Sequence, residues 1–236
     1  MLTSLRDLAA KVTEAGSTGA TLRDPMLRYR SMNTLDTPAC LDWQAQLLMS
    51  AAEVDDIQVC VGVCEFLTVQ VGEDSFSGAI LDDYSTEAGV FSPIFDGAWT
   101  ADHVQDQFDG VPFNNALLVL SAILIEPVQR GHNLGAWMVS RVTHRMLPGN
   151  DGLVLMYPSP LFKSAEPIQQ LEAVESLTRH WKRTVAVVPI DQHPGILGQS
   201  TAHIHLDEAR RALRVPAEIT VLASALKCSP EIVLTD

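Results

Sequence analysis

An almost unbroken apolar run, residues 117–125, stops at Glu126-Pro127, and the short loop Gln129-Arg130-Gly131-His132-Asn133 follows. Leu134-Gly135-Ala136 then opens a predicted helix. A buried strand, a small-residue loop and a helix start, in that order, commit this part of the chain to a β–α unit. The same order makes an anion site, because unpaired backbone N–H groups and the helix dipole converge on the loop. The pattern points to a ligand that carries pyrophosphate, a coenzyme above all. Glycines that merely permit the turn are the plainer explanation.

The chain of 236 residues is long enough for one large domain, or one domain with an appendage. Hydrophobic residues at 47% and charged residues at 19% exclude a disordered chain. No apolar run reaches the roughly 18–20 residues of a membrane span, and the first thirty residues lack a signal-peptide core. A cytoplasmic protein is expected. The formal charge of −13, from 16 Lys+Arg against 29 Asp+Glu, repels nucleic acid and anionic membranes. It attracts a cationic substrate such as an amine, although acidity also simply maintains solubility. Cys60 and Cys64, four apart in a predicted strand, share a face about 13 Å apart, too far for a redox or metal pair. With Cys40 and Cys228 they read as core thiols.

A helix is predicted near 3–14, then a break through Gly16-Ser17-Thr18-Gly19. Thr37-Pro38 predicts a second helix to about Ala52, with Leu41, Ala45, Leu48 and Met49 on one side. Val-rich residues 57–72 predict a strand, paired as a hairpin with 76–81. The acidic stretch 82–112 predicts short helical pieces. Beyond it come a strand at 116–126, a helix at 134–147, a strand at 152–157 and a helix at 166–182 with Leu171, Val174 and Leu177 inward. A strand at 184–189 and two C-terminal helices, near 206–213 and 217–226, complete the reading. The alternation over 116–189 means α/β: a mixed, twisted central sheet flanked by helices. The expected division is a helical segment at 1–55, a core at 56–190 and a C-terminal extension at 191–236.

Arg130-Gly131-His132-Asn133-Leu134-Gly135, after a strand and a proline and before a helix, resembles the acyl-CoA-binding motif Q/R-x-x-G-x-G/A of the GNAT superfamily of N-acetyltransferases. The elements at 116–190 follow that family's order; 57–81 match loosely and the remainder hardly at all. The resemblance implies acetyl-CoA as acyl donor and an amine as acceptor, with the coenzyme inserted where two central strands splay. Coenzyme contacts are then expected from the backbone of Ile123, Leu124 and Ile125 and from Arg130, Gly131, His132, Asn133, Leu134, Gly135 and Ala136. Asn133 replaces the first motif glycine. Asn tolerates a left-handed backbone, but its side chain stands where phosphate should approach.

Acyl transfer to an amine needs positioning, a proton acceptor and oxyanion stabilisation. Glu126 is the nearest carboxylate to the loop and the candidate base; an exposed strand-end residue is the alternative. The family's usual acid, a Tyr, has Thr178 in its expected place, which leaves Tyr157, at the end of the second strand, as the candidate acid. Asp82, Asp83 and Glu87 offer an amine pocket or a merely solvated loop. His203 and His205, about 7 Å apart on one face of a strand, with His193 upstream, lack a helpful third ligand, so no metal is expected. Trp137 reads as core. G-x-G-x-x-G and Walker A loops are absent, which disfavours NAD and ATP. A member of the family that has lost catalysis and acts as a ligand-sensing or protein-interaction module fits Asn133 and the missing Tyr. Homodimerisation through the C-terminal helices suits either version.

Overall fold

A computed structural model describes residues 2–227, apart from 33, 35–36, 55–56, 74–75, 77, 121–123, 126–128 and 159–166. The chain begins with β1 (Leu2–Thr3), α1 (Leu5–Glu14), β2 (Gly19–Ser31), β3 (Cys40–Ala51) and β4 (Gln58–Gln70). An inserted layer follows: α2 (Ala79–Tyr84), α3 (Thr86–Gly89), a 3-10 turn at Ser92–Ile94, β5 (Phe95–Asp96), β6 (Trp99–Thr100) and α4 (Asp102–Gln107). Then come β7 (Asn115–Val119), β8 (Leu124–Ile125), α5 (Leu134–Met146), β9 (Gly152–Met156) and α6 (Pro167–Val185). The last elements are β10 (Val188–Ile190), β11 (His193–Ser200), α7 (His205–Ala212), β12 (Glu218–Leu222) and α8 (Ala223–Lys227).

One 10-stranded mixed sheet runs β10-β11-β9-β7-β4-β3-β2-β12, with β1 and β8 both joined to β4. The β7–α5–β9 crossover supplies a parallel pair, and the neighbouring strands are antiparallel. This is the helix-flanked mixed sheet expected from the sequence.

The sheet is buried on both sides, so its central strands read as continuous apolar runs. On one side Leu8 and Val12 of α1 and Met138, Val139 and Val142 of α5 pack on Leu47, Phe66, Leu117 and Val154. On the other, Leu81, Phe91, Ile94, Val104, Phe108 and Phe113 of the inserted layer cover Leu67, Leu118, Leu155 and Ile196. Ser4 caps α1 by accepting from the Asp7 N–H at 3.1 Å.

Several local readings are corrected. The helix expected from Thr37 to Ala52 is strand β3, paired with β2 and β4 along its length. Trp43, Ala45, Leu47 and Met49 form a period-two apolar row that long-range pairing selects over the helical reading. The N-terminal segment is thus largely strand. Residues 79–81, expected as a hairpin strand, begin α2. In α6, Leu171 is 61% exposed rather than inward. The strand expected at 184–189 starts only at Val188, because α6 continues to Val185 and Ala186 turns left-handed at φ 62°. The second C-terminal helix is half strand, β12, which pairs with β2. Strand β11 was not foreseen.

Cys60 and Cys64 do not share a face. A register shift between Leu47 and Leu48 of β3 places an extra residue on β4 near Val61. Such a bulge reverses the alternation beyond it. Cys64 therefore faces the α5 side with Phe66, while Cys60 packs separately with Leu48 and Val63.

Leu117 is fully buried at the centre of β7, opposite Val154 on β9 and Thr68 on β4. Leu117→Ala should cost about 2–5 kcal/mol, as buried leucine truncations do. A urea midpoint unchanged from the parent would remove β7 from the core described.

Candidate functional site

Strand β7 is held on both edges. It pairs antiparallel with β4, from Asn115 opposite Gln70 to Val119 opposite Phe66, and parallel with β9, from Asn115 beside Gly152 to Val119 beside Met156. Past Val119 the two sides part. Strand β8 stays on β4, with Leu124 opposite Val63 and Ile125 opposite Gly62. Among the described residues β8 has no pairing with β9. Between Val119 and Leu124 the chain carries two more residues than the facing stretch of β4 between Phe66 and Val63. The β7–β9 ladder is thus not continued by β8, and among the described residues the β8 edge turned away from β4 is an unpaired backbone edge at this wedge in the ladder.

The loop that follows leads into α5. Gly131 takes φ 84°, with nothing within 4 Å of where a Cβ would stand, so glycine is needed there for conformation and not for space. Asn133 sits at φ 59°, ψ 14°, in the left-handed region, as its glycine-like position required. The first helical bond joins the Trp137 N–H to the Asn133 carbonyl at 3.0 Å. No side chain caps the helix. The N–H groups of Leu134, Gly135 and Ala136 therefore lie in the unbonded first turn, at the positive end of the dipole.

The Asn133 side chain is tied down by a partner distant in sequence. Its Nδ2 donates to the Arg214 carbonyl at 3.1 Å, which ties the loop to the connection between α7 and β12. Arg130 and Gly131 are exposed, and His132, Asn133 and Gly135 half-buried, while Leu134 and Ala136 anchor the turn in the core. Gln129, at the foot of the loop, is fully buried, yet neither its Oε1 nor its Nε2 has a partner among the described residues. An unsatisfied buried amide costs about 1–3 kcal/mol.

Ile123 and Glu126 lie outside the described residues, and of Leu124 and Ile125 only the backbone is described. Tyr157 follows the last paired residue of β9 at the mouth of the wedge, 40% exposed. Its ring edge lies over Gly195 of β11, 3.6 Å from where a Cβ would project. Thr178 is half-buried on α6.

Glu65 escaped the sequence reading. It lies on β4 between the residues paired to β8 and those paired to β7, and its carbonyl accepts from the Leu120 N–H at 3.0 Å. Its exposed side chain shares the sheet face of Val63 and Leu67, beside the wedge. Gln44 is its direct partner across β3. A polar row continues from there: Gln46 Nε2 donates to Gln44 Oε1 at 2.9 Å, and Arg28 Nε donates to Gln46 Oε1 at 2.9 Å. Asp42, also buried, accepts from the Thr34 N–H and hydroxyl. Burial pushes the Tyr84 phenol above its ordinary range, a hydrogen bond from Thr34 pulls it back, and Asp42 and Glu65 push it further up. The alternation of Asp42, Gln44 and Gln46 was the available signal. It was hidden by the helical reading of 37–52.

The other sequence candidates resolve elsewhere. Asp82 accepts from the Ser92 hydroxyl at 3.1 Å within the inserted layer; Asp83 and Glu87 are exposed on it. His203 and His205 are not on a strand, since β11 ends at Ser200 and α7 begins at His205; His203 Nε2 instead lies 3.5 Å from an Asp109 carboxylate oxygen. Among the described residues no group of three or more metal-ligating side chains converges, and no helix is long and apolar enough to cross a membrane. Cys40 and Cys64 are buried. Burial, aided by Asp42 for the first and Glu65 for the second, pushes both thiols up to about 12, so neither is a nucleophile at neutral pH.

No family model matches the chain, and no curated protein matches it. Among solved structures it is similar to the crystal structure of a mutant of KacT, at 10% identity and a TM-score of 0.38, over 79% of this chain and 99% of that one. A superposition that loose carries no argument about function.

Asn133→Val forces a β-branched residue into the left-handed region and should cost about 1–2 kcal/mol. Asn133→Gly loses one hydrogen bond but relaxes the backbone, and should change stability by less than about 1 kcal/mol. Equal urea midpoints for the two variants would count against the left-handed turn. The protonated thiols predict a second effect. Their contribution to stability is complete below about pH 9, their ordinary value, and is lost as pH rises towards about 12. Unfolding midpoints should fall over that window, while Cys40 and Cys64 resist a thiol reagent at pH 8 until the chain is denatured. Rapid labelling of both in the native protein would contradict their burial.

Proposed function

We propose that this chain is an acyl-CoA-dependent N-acyltransferase that moves an acetyl group from acetyl-CoA to an amine. The observation that carries the reading is the wedge: β7 pairs with β9, β8 does not, and the opening leads to the uncapped N-terminus of α5 through two left-handed residues. The free edge of β8 suits the amides of a pantetheine arm, which would add to it as a strand does. The N–H groups of Leu134, Gly135 and Ala136, with Gly131, His132 and Asn133 shaping the turn, suit the pyrophosphate. Arg130 adds positive charge at the loop.

The acyl carbon would then lie at the mouth of the wedge, between the end of β9 and Glu65. The amine nitrogen attacks the thioester carbonyl, the C–N bond forms and the C–S bond breaks. The amine's proton passes to a carboxylate, and the departing thiolate takes up a proton. Glu126 from the loop side and Glu65 from β4 are the two candidate bases, and Tyr157 is the candidate acid. The polar row Gln44–Gln46–Arg28 and the Tyr84 phenol border the side from which an acceptor would approach.

Calorimetric titration with acetyl-CoA should give micromolar binding, roughly −8 kcal/mol, that Gly135→Trp abolishes without unfolding the chain. Absence of binding by the folded parent would shift the reading to a ligand-sensing or protein-interaction module. Once an acceptor amine is found, Glu65→Gln and Glu126→Gln separate the two carboxylates. Removal of the base should lower turnover by about 10²–10⁴ with coenzyme affinity retained, and removal of the other should not.

A further inference from the structure

A groove of about 570 Å³ lies between β2 and α5, on the side of the sheet that carries α1. Its walls are Pro25, Leu27 and Tyr29 on the strand, and Trp137, Arg141 and Arg145 on the helix. His144 and Pro148 close one end, and no Asp or Glu lines it. In a chain with 29 acidic and 16 basic residues, that local balance is unusual. By comparison, Arg210 and Arg211 pair with Asp207, and Arg23 lies near Asp24. Among the described residues neither Arg141 nor Arg145 has a carboxylate partner.

The groove is also ordered. Trp137, Arg141 and Arg145 recur every four residues on one face of α5. The Arg141 guanidinium lies over the Trp137 ring, 5.4 Å from its centroid, which fixes a long side chain that would otherwise be mobile. Across from them Tyr29 is half-buried, and its phenol lies in the field of both arginines. Two cations, a histidine and two aromatic rings thus surround a space of the size that holds a small ligand.

We propose that this groove is a second ligand site, taking a phosphate monoester that carries an aromatic ring, of nucleoside-monophosphate size. Arg141 and Arg145 face the phosphate, as forked donors suited to its oxygens. The ring lies against Tyr29 and the outer face of the Arg141–Trp137 stack. The groove is distinct from the coenzyme loop: Arg141 and Arg145 follow Leu134 by seven and eleven residues, roughly 10 and 16 Å along the helix. No glycine-rich loop is needed, because side chains rather than backbone N–H groups provide the charge. Nucleic acid fits less well, because the overall charge of −13 repels an extended polyanion while a local positive groove still holds a small one.

The test is titration of the full chain with AMP, followed by calorimetry and tryptophan fluorescence. Saturable binding below about 1 mM is expected, at least about tenfold weaker in the double variant Arg141→Gln/Arg145→Gln and unchanged in Gly135→Trp. Both arginines are exposed, so the double variant should keep the parent's circular dichroism and its acetyl-CoA affinity. Inorganic phosphate should bind at least about tenfold more weakly than AMP. The proposal is overturned by AMP that fails to saturate by about 5 mM or binds the double variant as well as the parent. Binding lost in Gly135→Trp would also overturn it, by placing the nucleotide at the loop, as would phosphate binding equal to that of AMP. Because the Gly135→Trp arm retains AMP whether or not the parent binds acetyl-CoA, this site stands or falls independently of the acyltransferase reading.

Discussion

Strand β4 is the element on which the other features depend. It pairs with β3 along one edge and with β7 and then β8 along the other, and it separates the two hydrophobic layers. A single extra residue near Val61 reverses which side chains face which layer. On the other edge of β4 the change of partner from β7 to β8 falls at Cys64 and Glu65, between the Phe66–Val119 and Val63–Leu124 pairs, and the β7–β9 ladder ends at that same Val119. The wedge lies where β4 exchanges one neighbour for the other, a property of strand registry.

The part of the fold legible in the sequence is the part encoded locally. Residues 115–156 announce themselves because a parallel pair buried on both faces must be a run of apolar residues, and its crossover must begin and end with loop chemistry. Leu117, Leu118, Val154 and Leu155 needed no partner to be read as strand. Residues 40–51 did. Their row Trp43, Ala45, Leu47 and Met49 is apolar at period two, but Leu41, Ala45, Leu48 and Met49 also sit at helical spacing, and Thr37-Pro38 resembles a cap. Only the pairing with β2 and β4 decides between them. Strand β2 carries Arg23, Asp24, Arg28 and Arg30 on a half-covered surface, and β11 contains Pro194, Gly195 and Gly198, so neither carried the Val-rich signature used to find strands.

The candidate site divides the same way. The turn into α5 was readable because its requirements are backbone requirements, met by Gly131 and Asn133 just before the helix begins. The partner of the Asn133 side chain, the Arg214 carbonyl, was not readable, because it lies eighty-one positions away in sequence. Glu65 and the Gln44–Gln46–Arg28 row were invisible for a related reason. Their proximity is a statement about which strands are neighbours, and the strand that joins them had been read as a helix.

Charge gives the remaining step. With so large an acidic excess, an anionic ligand is disfavoured everywhere on the surface unless local structure reverses the field. Among the described residues, the two proposed sites would do so by different means. At the start of α5 the positive potential comes from oriented N–H groups that cannot be neutralised by a side chain elsewhere in the fold. Farther along the same helix it comes from Arg141 and Arg145, kept apart from carboxylates by a groove whose walls are apolar or aromatic. One helix therefore presents its dipole at one end and its cationic face along its length. Asn133, tied to Arg214, and Tyr29, on β2, hold the surroundings of these two positive regions to different parts of the sheet.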